Sequence, residues 1–275
     1  MGRGDKLATV NLPFARLPLS FDPTGLREDL ESIAPAAWLH HFSELTYAGE
    51  CTAIALRSKS GGSDDLAAWG AAQEFYDTPL AAQCLHLKAA VDAFAFKKKC
   101  VRLIRLHAGS RLRQFRAADL GIAHGELRIH IPVVSSDAVE LIVVDRRLAA
   151  REGEAWYIAL AQPCRMINRG DADCVFLVID GVVNEWTLAL LEHAALDIVS
   201  QSDEPLGAAS FRAFRERVFE DAALQARLVA ITRPDEFLEA VVTAGAELGC
   251  TFESADVESA LNRSRHDWMM RTVAL

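Results

Sequence analysis

The 275-residue sequence predicts a mainly β core, an antiparallel sandwich or jelly roll, with flanking helices and a small α-helical domain at its C-terminal end. Three observations carry this. Between residues 101 and 185, five β-rich runs of six to ten residues follow one another, separated by turn-prone or charged segments. From residue 186 onward the apolar residues return at helical spacing. The composition is 51% apolar, 8% aromatic and 24% charged, which excludes a disordered, collagen-like or coiled-coil chain.

The elements follow in chain order. Residues 1–12 read as a disordered lead-in, and Arg3-Gly4-Asp5 within it as a chance tripeptide. Pro23-Thr24 opens a helix through Leu30 that stops before Pro35. Cys51–Leu56 reads as a strand, Ser58–Ser63 as a loop, and Leu80–Phe94 as helical. Lys97-Lys98-Lys99 reads as a solvated turn before the next strand. The five β-rich runs are Val101–Leu106, Leu127–Val134, Val139–Val144, Glu154–Leu160 and Cys174–Val183. In the second, Arg128 and His130 share one face while Leu127, Ile129 and Ile131 share the other. That polar face is either solvated or turned toward a polar cavity.

A helix is expected from Trp186 to about Ile198, and Phe211–Leu228 reads as one amphipathic helix. Thr232-Arg233-Pro234-Asp235 is a helix start, with Thr232 as the hydroxyl cap and Pro234 in the first turn. Phe237, Val241, Ala244 and Leu248 form its stripe, and Gly249 ends it. Gly245, inside that helix, costs about 1 kcal/mol relative to alanine. Ser254 is read as the cap of a last helix whose Val257, Leu261 and Trp268 make a core-facing stripe. A boundary near residues 200–207 separates a domain at 13–200 from one at 207–275.

The chain carries 38 acidic and 29 basic side chains, a net charge of −9, and five of those negative charges lie beyond residue 200. This acidity argues against nucleic acid as a partner. No run approaches the length of a bilayer span and no secretory signal opens the chain, so no membrane partner and a cytoplasmic location are expected. Cys51, Cys84, Cys100, Cys164, Cys174 and Cys250 form no C-x-x-C pair. They read as buried thiols rather than a zinc site.

Several motifs recur in fixed order: Leu106-His-Ala-Gly-Ser110, Asp119-Leu-Gly121, Gly125-Glu-Leu-Arg-Ile-His-Ile-Pro-Val133, Gly153-Glu-Ala-Trp-Tyr157, Asn168-Arg-Gly170, Leu177-Val-Ile-Asp180 and Asn184-Glu-Trp186. With Trp38–Phe42, Ala55–Ser58 and Asp77–Pro79 upstream, residues 13–190 resemble the aspartyl/asparaginyl β-hydroxylase family of Fe(II)- and 2-oxoglutarate-dependent dioxygenases. The resemblance implies a double-stranded β-helix. The last 65 residues resemble the Nif-eleven leader domain through Phe219-Glu-Asp-Ala-Ala-Leu-Gln225, Gly245-Ala-Glu-Leu-Gly249 and Phe252-Glu-Ser-Ala-Asp-Val257. No double-glycine cleavage site or core peptide follows these motifs, which argues against a precursor role.

The hydroxylase resemblance assigns the iron ligands to positions that hold Phe115, Ala117 and Cys164 here. The family's facial set of two imidazoles and a carboxylate is thus replaced by two side chains without a lone pair and one thiol. It also places Arg128 and His130 beside the 2-oxoglutarate site, as candidate binding residues for that co-substrate or another anion. The family's further Arg and His are replaced by Cys174 and Phe176, which removes a bidentate clamp on the far carboxylate. His107, Asp119 and His124 are the remaining residues from which a displaced metal site could be built. The expectation is a degenerate, iron-free binding protein for a small anion, peptide or protein partner, with no cofactor. The rivals are an active dioxygenase with rearranged ligands, in which Fe(II) and 2-oxoglutarate return, and a scaffold that docks a partner through its C-terminal helices.

Overall fold

The computed structural model describes residues 12–40, 47–67, 74–115, 121–194 and 202–273. The lead-in before residue 12, with Arg3-Gly4-Asp5, lies outside the described residues, as do Ala117 and Asp119. The chain divides into two compact units, Met1–Asp203 and Glu204–Leu275.

The first unit holds two antiparallel sheets. Its strands are β1 (Phe14–Ser20), β2 (Leu39–His40), β3 (Tyr47–Ala48), β4 (Cys51–Ser58), β5 (Tyr76–Asp77), β6 (Lys98–Leu106) and β7 (Arg111–Phe115). There follow β8 (Glu126–Val134), β9 (Val139–Val143), β10 (Arg146–Leu148), β11 (Glu154–Ile158), β12 (Cys164–Asn168), β13 (Cys174–Val182) and β14 (Ser202–Asp203). The large sheet runs β1-β11-β8-β13-β6-β4-β2, with β5 on β4, and the small sheet runs β14-β10-β9-β12-β7-β3. From β6 to β13 the chain passes large, small, large, small, small, large, small, large. This double winding of eight consecutive strands is a jelly roll, the double-stranded β-helix.

Side-chain alternation divides the core. Leu127, Ile129, Ile131, Val175, Leu177 and Ile179 cover one face of the large sheet. Leu26 and Leu30 of α1 (Pro23–Glu31), Leu87 and Ala90 of α2 (Leu85–Asp92), and Leu188 and Leu191 of α3 (Glu185–Ala194) pack in the same cluster. The opposite face meets the small sheet through Leu106, Trp156, Phe176 and Val178 against Leu141, Val143, Cys164 and Met166. Helix α2 has no side-chain cap of its own. Asp29 of α1 fills that role, accepting from the Leu87 N–H at 2.7 Å.

Several expectations are corrected. The lysine run is not a turn: Lys98 and Lys99 begin β6, and Lys99 pairs with Glu126 at 2.6 Å. The helix expected over 80–94 is limited to Leu85–Asp92, after a turn. Strands β1, β7 and β12 were not expected. In the second unit Phe211–Leu228 is two helices, α4 (Leu206–Glu220) and α5 (Ala222–Val229). Asp221 divides them because its carboxylate accepts from the N–H groups of Ala223 and Leu224, which starts α5 anew. Helix α6 (Pro234–Glu247) has Arg233, not Thr232, at its cap position and no side-chain cap bond; Pro234 supplies the preset first turn. Helix α7 (Ser254–Val273) begins at Ser254 itself, and the Asp256 carboxylate, not Ser254, accepts from the Glu253 N–H at 2.9 Å. The Trp268 side chain lies outside the described residues.

The unit's core gathers Phe211, Phe214, Val241, Ala244, Phe252 and Val257. It also explains Gly245. A Cβ there would lie 2.3 Å from the Phe252 ring, so the glycine is what lets Phe252 close over α6.

Candidate functional site

Three adjacent strands of the large sheet bring charge into the space between the sheets. Register pairs Asp180 of β13 with Arg128 of β8, and Val178 with Arg102 of β6. All three charged side chains point toward the small sheet and are buried, at 3% exposure for Arg102 and 8% for Arg128 and Asp180. Arg128 Nε donates to Asp180 Oδ1 at 2.5 Å, and its Nη2 donates to Oδ2 at 3.1 Å. Arg102 Nη2 donates to the same Oδ2 at 2.8 Å, and its Nη1 donates to the Leu66 carbonyl at 3.1 Å. Burial opposes the Asp180 charge, but the two guanidiniums outweigh it and hold the carboxyl below its ordinary range. Two cations and one carboxylate leave this cluster one positive charge in excess.

His130 stands one pleat further along β8, beside Trp156 and Val178. It is buried, and its Nδ1 has no hydrogen-bond partner among the described residues. Burial, then the Arg128 charge, pushes its pKa down to about 3, so the imidazole is neutral. The Arg128–His130 face is therefore not solvated: it faces the second sheet. Arg128 already holds a carboxylate of its own chain. Sequence reading missed Arg102 and Asp180 as its partners.

Two of the three positions that the resemblance assigns to iron, 115 and 164, lie together in the small sheet. The backbones of Cys164 on β12 and Phe115 on β7 are register partners. The Phe115 side chain and Ala117 are outside the described residues. Cys164 is buried among apolar neighbours, and burial pushes its thiol up to about 12 despite an opposing pull from Arg128. It is protonated at neutral pH and is a weak donor in that form. Cys174 and Phe176 are buried in the inter-sheet core, and the Cys174 thiol is pushed up to about 12 by burial. Among the described residues no three His, Cys, Asp or Glu side chains converge as a metal site. Phenylalanine, alanine and a single thiol do not fit a facial Fe(II) centre, which needs three protein donors.

His107 and His124 are not brought together. Strands β6 and β8 run parallel, both antiparallel to β13; His107 follows the end of β6 and His124 precedes the start of β8. The length of a nine-residue strand, roughly 30 Å, separates them. His107 instead contacts Asp173 at 3.1 Å and Thr52 at 3.3 Å.

No family model matches the chain, and no curated protein matches it. Among solved structures it is similar to an oxidoreductase of the 2OG-Fe(II) oxygenase family from Burkholderia pseudomallei, at 12% identity over 67% of this chain and 95% of that one, TM-score 0.44. It is similar also to a non-heme alpha ketoglutarate dependent epimerase from nogalamycin biosynthesis, at 11% identity over 64% and 81%, TM-score 0.43. A third is a cupin-2 domain from Rhodospirillum rubrum, at 12% identity over 71% and 90%, TM-score 0.32. The fold assignment itself rests on the strand order. Among the described residues no helix is long and apolar enough to cross a membrane.

Proposed function

We propose that this chain is a binding protein built on an aspartyl/asparaginyl β-hydroxylase-like jelly roll that has given up iron chemistry. The observation that carries the reading is the state of Cys164. It stands at the position resembling the distal iron ligand, protonated, packed in apolar surroundings and opposite the Phe115 backbone. Beside phenylalanine and alanine, the Cys164 thiol is a single donor where a facial Fe(II) centre needs three. Two further features support the reading. Arg128, which would sit beside 2-oxoglutarate, is engaged bidentately by Asp180. The place of the far clamp is apolar, with Cys174 and Phe176 packed on Leu106 and Val178. A small dicarboxylate would lack a far clamp there, so the partner is a peptide, a protein or an anion held at one end by the surplus positive charge. All six cysteines are buried and none forms a disulfide, which fits a reducing cytoplasm. The Nif-eleven-like helices suggest work beside a peptide-modification pathway.

The test is metal analysis of the full-length protein after aerobic purification and after Fe(II) loading, with 2-oxoglutarate-dependent oxygen uptake measured alongside. Iron far below one equivalent and no uptake are expected. Stoichiometric iron with turnover would establish the rearranged-ligand dioxygenase instead.

A further inference from the structure

At one end of β4, β6 and β13 a polar cluster forms on the outer face of the large sheet. Thr52 of β4 and Arg105 of β6 are register partners, and Val175, the partner of Arg105 on β13, packs in the helix-covered core. These side chains therefore point away from the small sheet and from Arg128. One pleat further on, the His107 N–H donates to the Glu50 carbonyl at 3.1 Å, so His107 and Glu50 continue the same face. His107 Nδ1 lies 3.1 Å from Asp173 Oδ2, and its Nε2 lies 3.3 Å from Thr52 Oγ1. The Glu50 carboxylate stands 3.9 Å from the same Nε2. The Thr52 hydroxyl has no other hydrogen-bond partner among the described residues. Backbone contacts fix the arrangement. The Ala108 N–H donates to Asp173 Oδ1 at 3.2 Å. Asn168 Nδ2 lies 3.2 Å from the His107 carbonyl and 2.8 Å from the Ala172 carbonyl, tying the end of β6 to the turn that carries Asp173.

We propose that Thr52, His107 and Asp173 form a second site, which hydrolyses small acyl esters through an acyl-threonine. The Asp173 charge draws the ring proton of His107 to Nδ1, which leaves the Nε2 lone pair facing the Thr52 hydroxyl. Nε2 takes the hydroxyl proton as Oγ1 bonds to the acyl carbon. The ester C–O bond then breaks, and the proton passes from Nε2 to the leaving alkoxide. Water completes the cycle: its oxygen bonds to the acyl carbon, its proton passes through Nε2 to Oγ1, and the free acid departs. Glu50 and Asp173 both face the imidazolium that forms between these transfers. Arg105 lies 3.9 Å over the Trp38 ring and has no hydrogen-bond partner among the described residues, so its guanidinium is available to the oxyanion. Thr52 is 7% exposed, so the acyl group that reaches it is small. This proposal is independent of the iron-free reading of the jelly roll.

Hydrolysis of para-nitrophenyl acetate by the full-length chain, compared with free imidazole at equal concentration, tests it. The expected result is saturable release of nitrophenolate, faster than with imidazole. Thr52→Val keeps the shape of the side chain and removes its hydroxyl; it and His107→Gln should each lower kcat/KM by about 100-fold or more. Thr52→Ser restores a hydroxyl and should keep most of the activity. Asp173 is a positioning residue, so Asp173→Asn should lower kcat and leave KM nearly unchanged. His193→Gln, at an exposed histidine of α3, is the control and should match the wild type. Circular dichroism of each variant confirms that it is folded. A wild-type rate no higher than that of imidazole overturns the proposal. So does a Thr52→Val protein that hydrolyses the ester as fast as the wild type, which would leave the cluster as a tie between strand ends.

Discussion

Replacing His130 with leucine should flatten the acid side of the stability profile. The imidazole is buried and neutral, its pKa pushed down to about 3 by burial first and the Arg128 charge second, against an opposing pull from Asp180. In the unfolded chain the same side chain takes up a proton below about pH 6.5. Between these values the unfolded state binds a proton that the folded state refuses, so stability falls as pH falls. At about 1.36 kcal/mol per pH unit, the loss from this residue is about 2 kcal/mol between pH 7.5 and pH 5, and about 4 kcal/mol by pH 3, where the folded imidazole begins to take up its own proton. Leucine removes the titrating group and sacrifices no hydrogen bond at Nδ1, which has no partner among the described residues. Urea unfolding, followed by tryptophan fluorescence across this pH range, measures the difference. The other histidines are common to both proteins, so subtraction isolates His130. A variant with the wild-type slope between pH 7.5 and 5 would refute the argument that this imidazole is held neutral.

Four further outcomes are expected. Asp180→Asn leaves two buried guanidiniums without their carboxylate and should cost about 3–5 kcal/mol of unfolding free energy; because the native carboxyl is held below its ordinary range, the lost contribution is the part present above about pH 4. The triple variant Phe115→His, Ala117→Asp, Cys164→His should bind one equivalent of Co(II), detected by its visible absorption; no binding would mean that these positions do not converge. Gly245→Ala should destabilise despite a propensity gain of about 1 kcal/mol, since the new methyl meets the Phe252 ring, and thermal unfolding reads the sign. Val144→Asn should stabilise by roughly 1 kcal/mol by chemical denaturation, because Val144 and Asp145 turn β9 into β10 at φ 47° and 61°, where a β-branched residue is strained.

The parts of the fold legible in the sequence are those where one face is apolar and the other is not. Strand β8 announced itself because Leu127, Ile129 and Ile131 alternate with Arg128 and His130, and helix α6 because Val241 and Ala244 fall on one face. Strand β12 was not legible because Cys164-Arg165-Met166-Ile167-Asn168 is short and its alternation breaks after Met166. The break between α4 and α5 was hidden because the apolar period continues through Asp221, and the divider is a capping bond rather than a change of pattern.

The same limit governs the candidate site. Motif order located Phe115, Ala117 and Cys164, because spacing along the chain suffices to compare positions with a known pattern. It did not reveal what Arg128 does. Arg102, Arg128 and Asp180 lie on three strands, and their meeting depends on the registers β6–β13 and β13–β8. A shift of one residue in either register would turn a charge to the opposite face of the sheet. A buried carboxylate shared by two guanidiniums is costly to assemble and more costly to break. The triad therefore penalises every slipped register of β6, β8 and β13, and this is a physical reason for charge to persist between these sheets without a metal to serve.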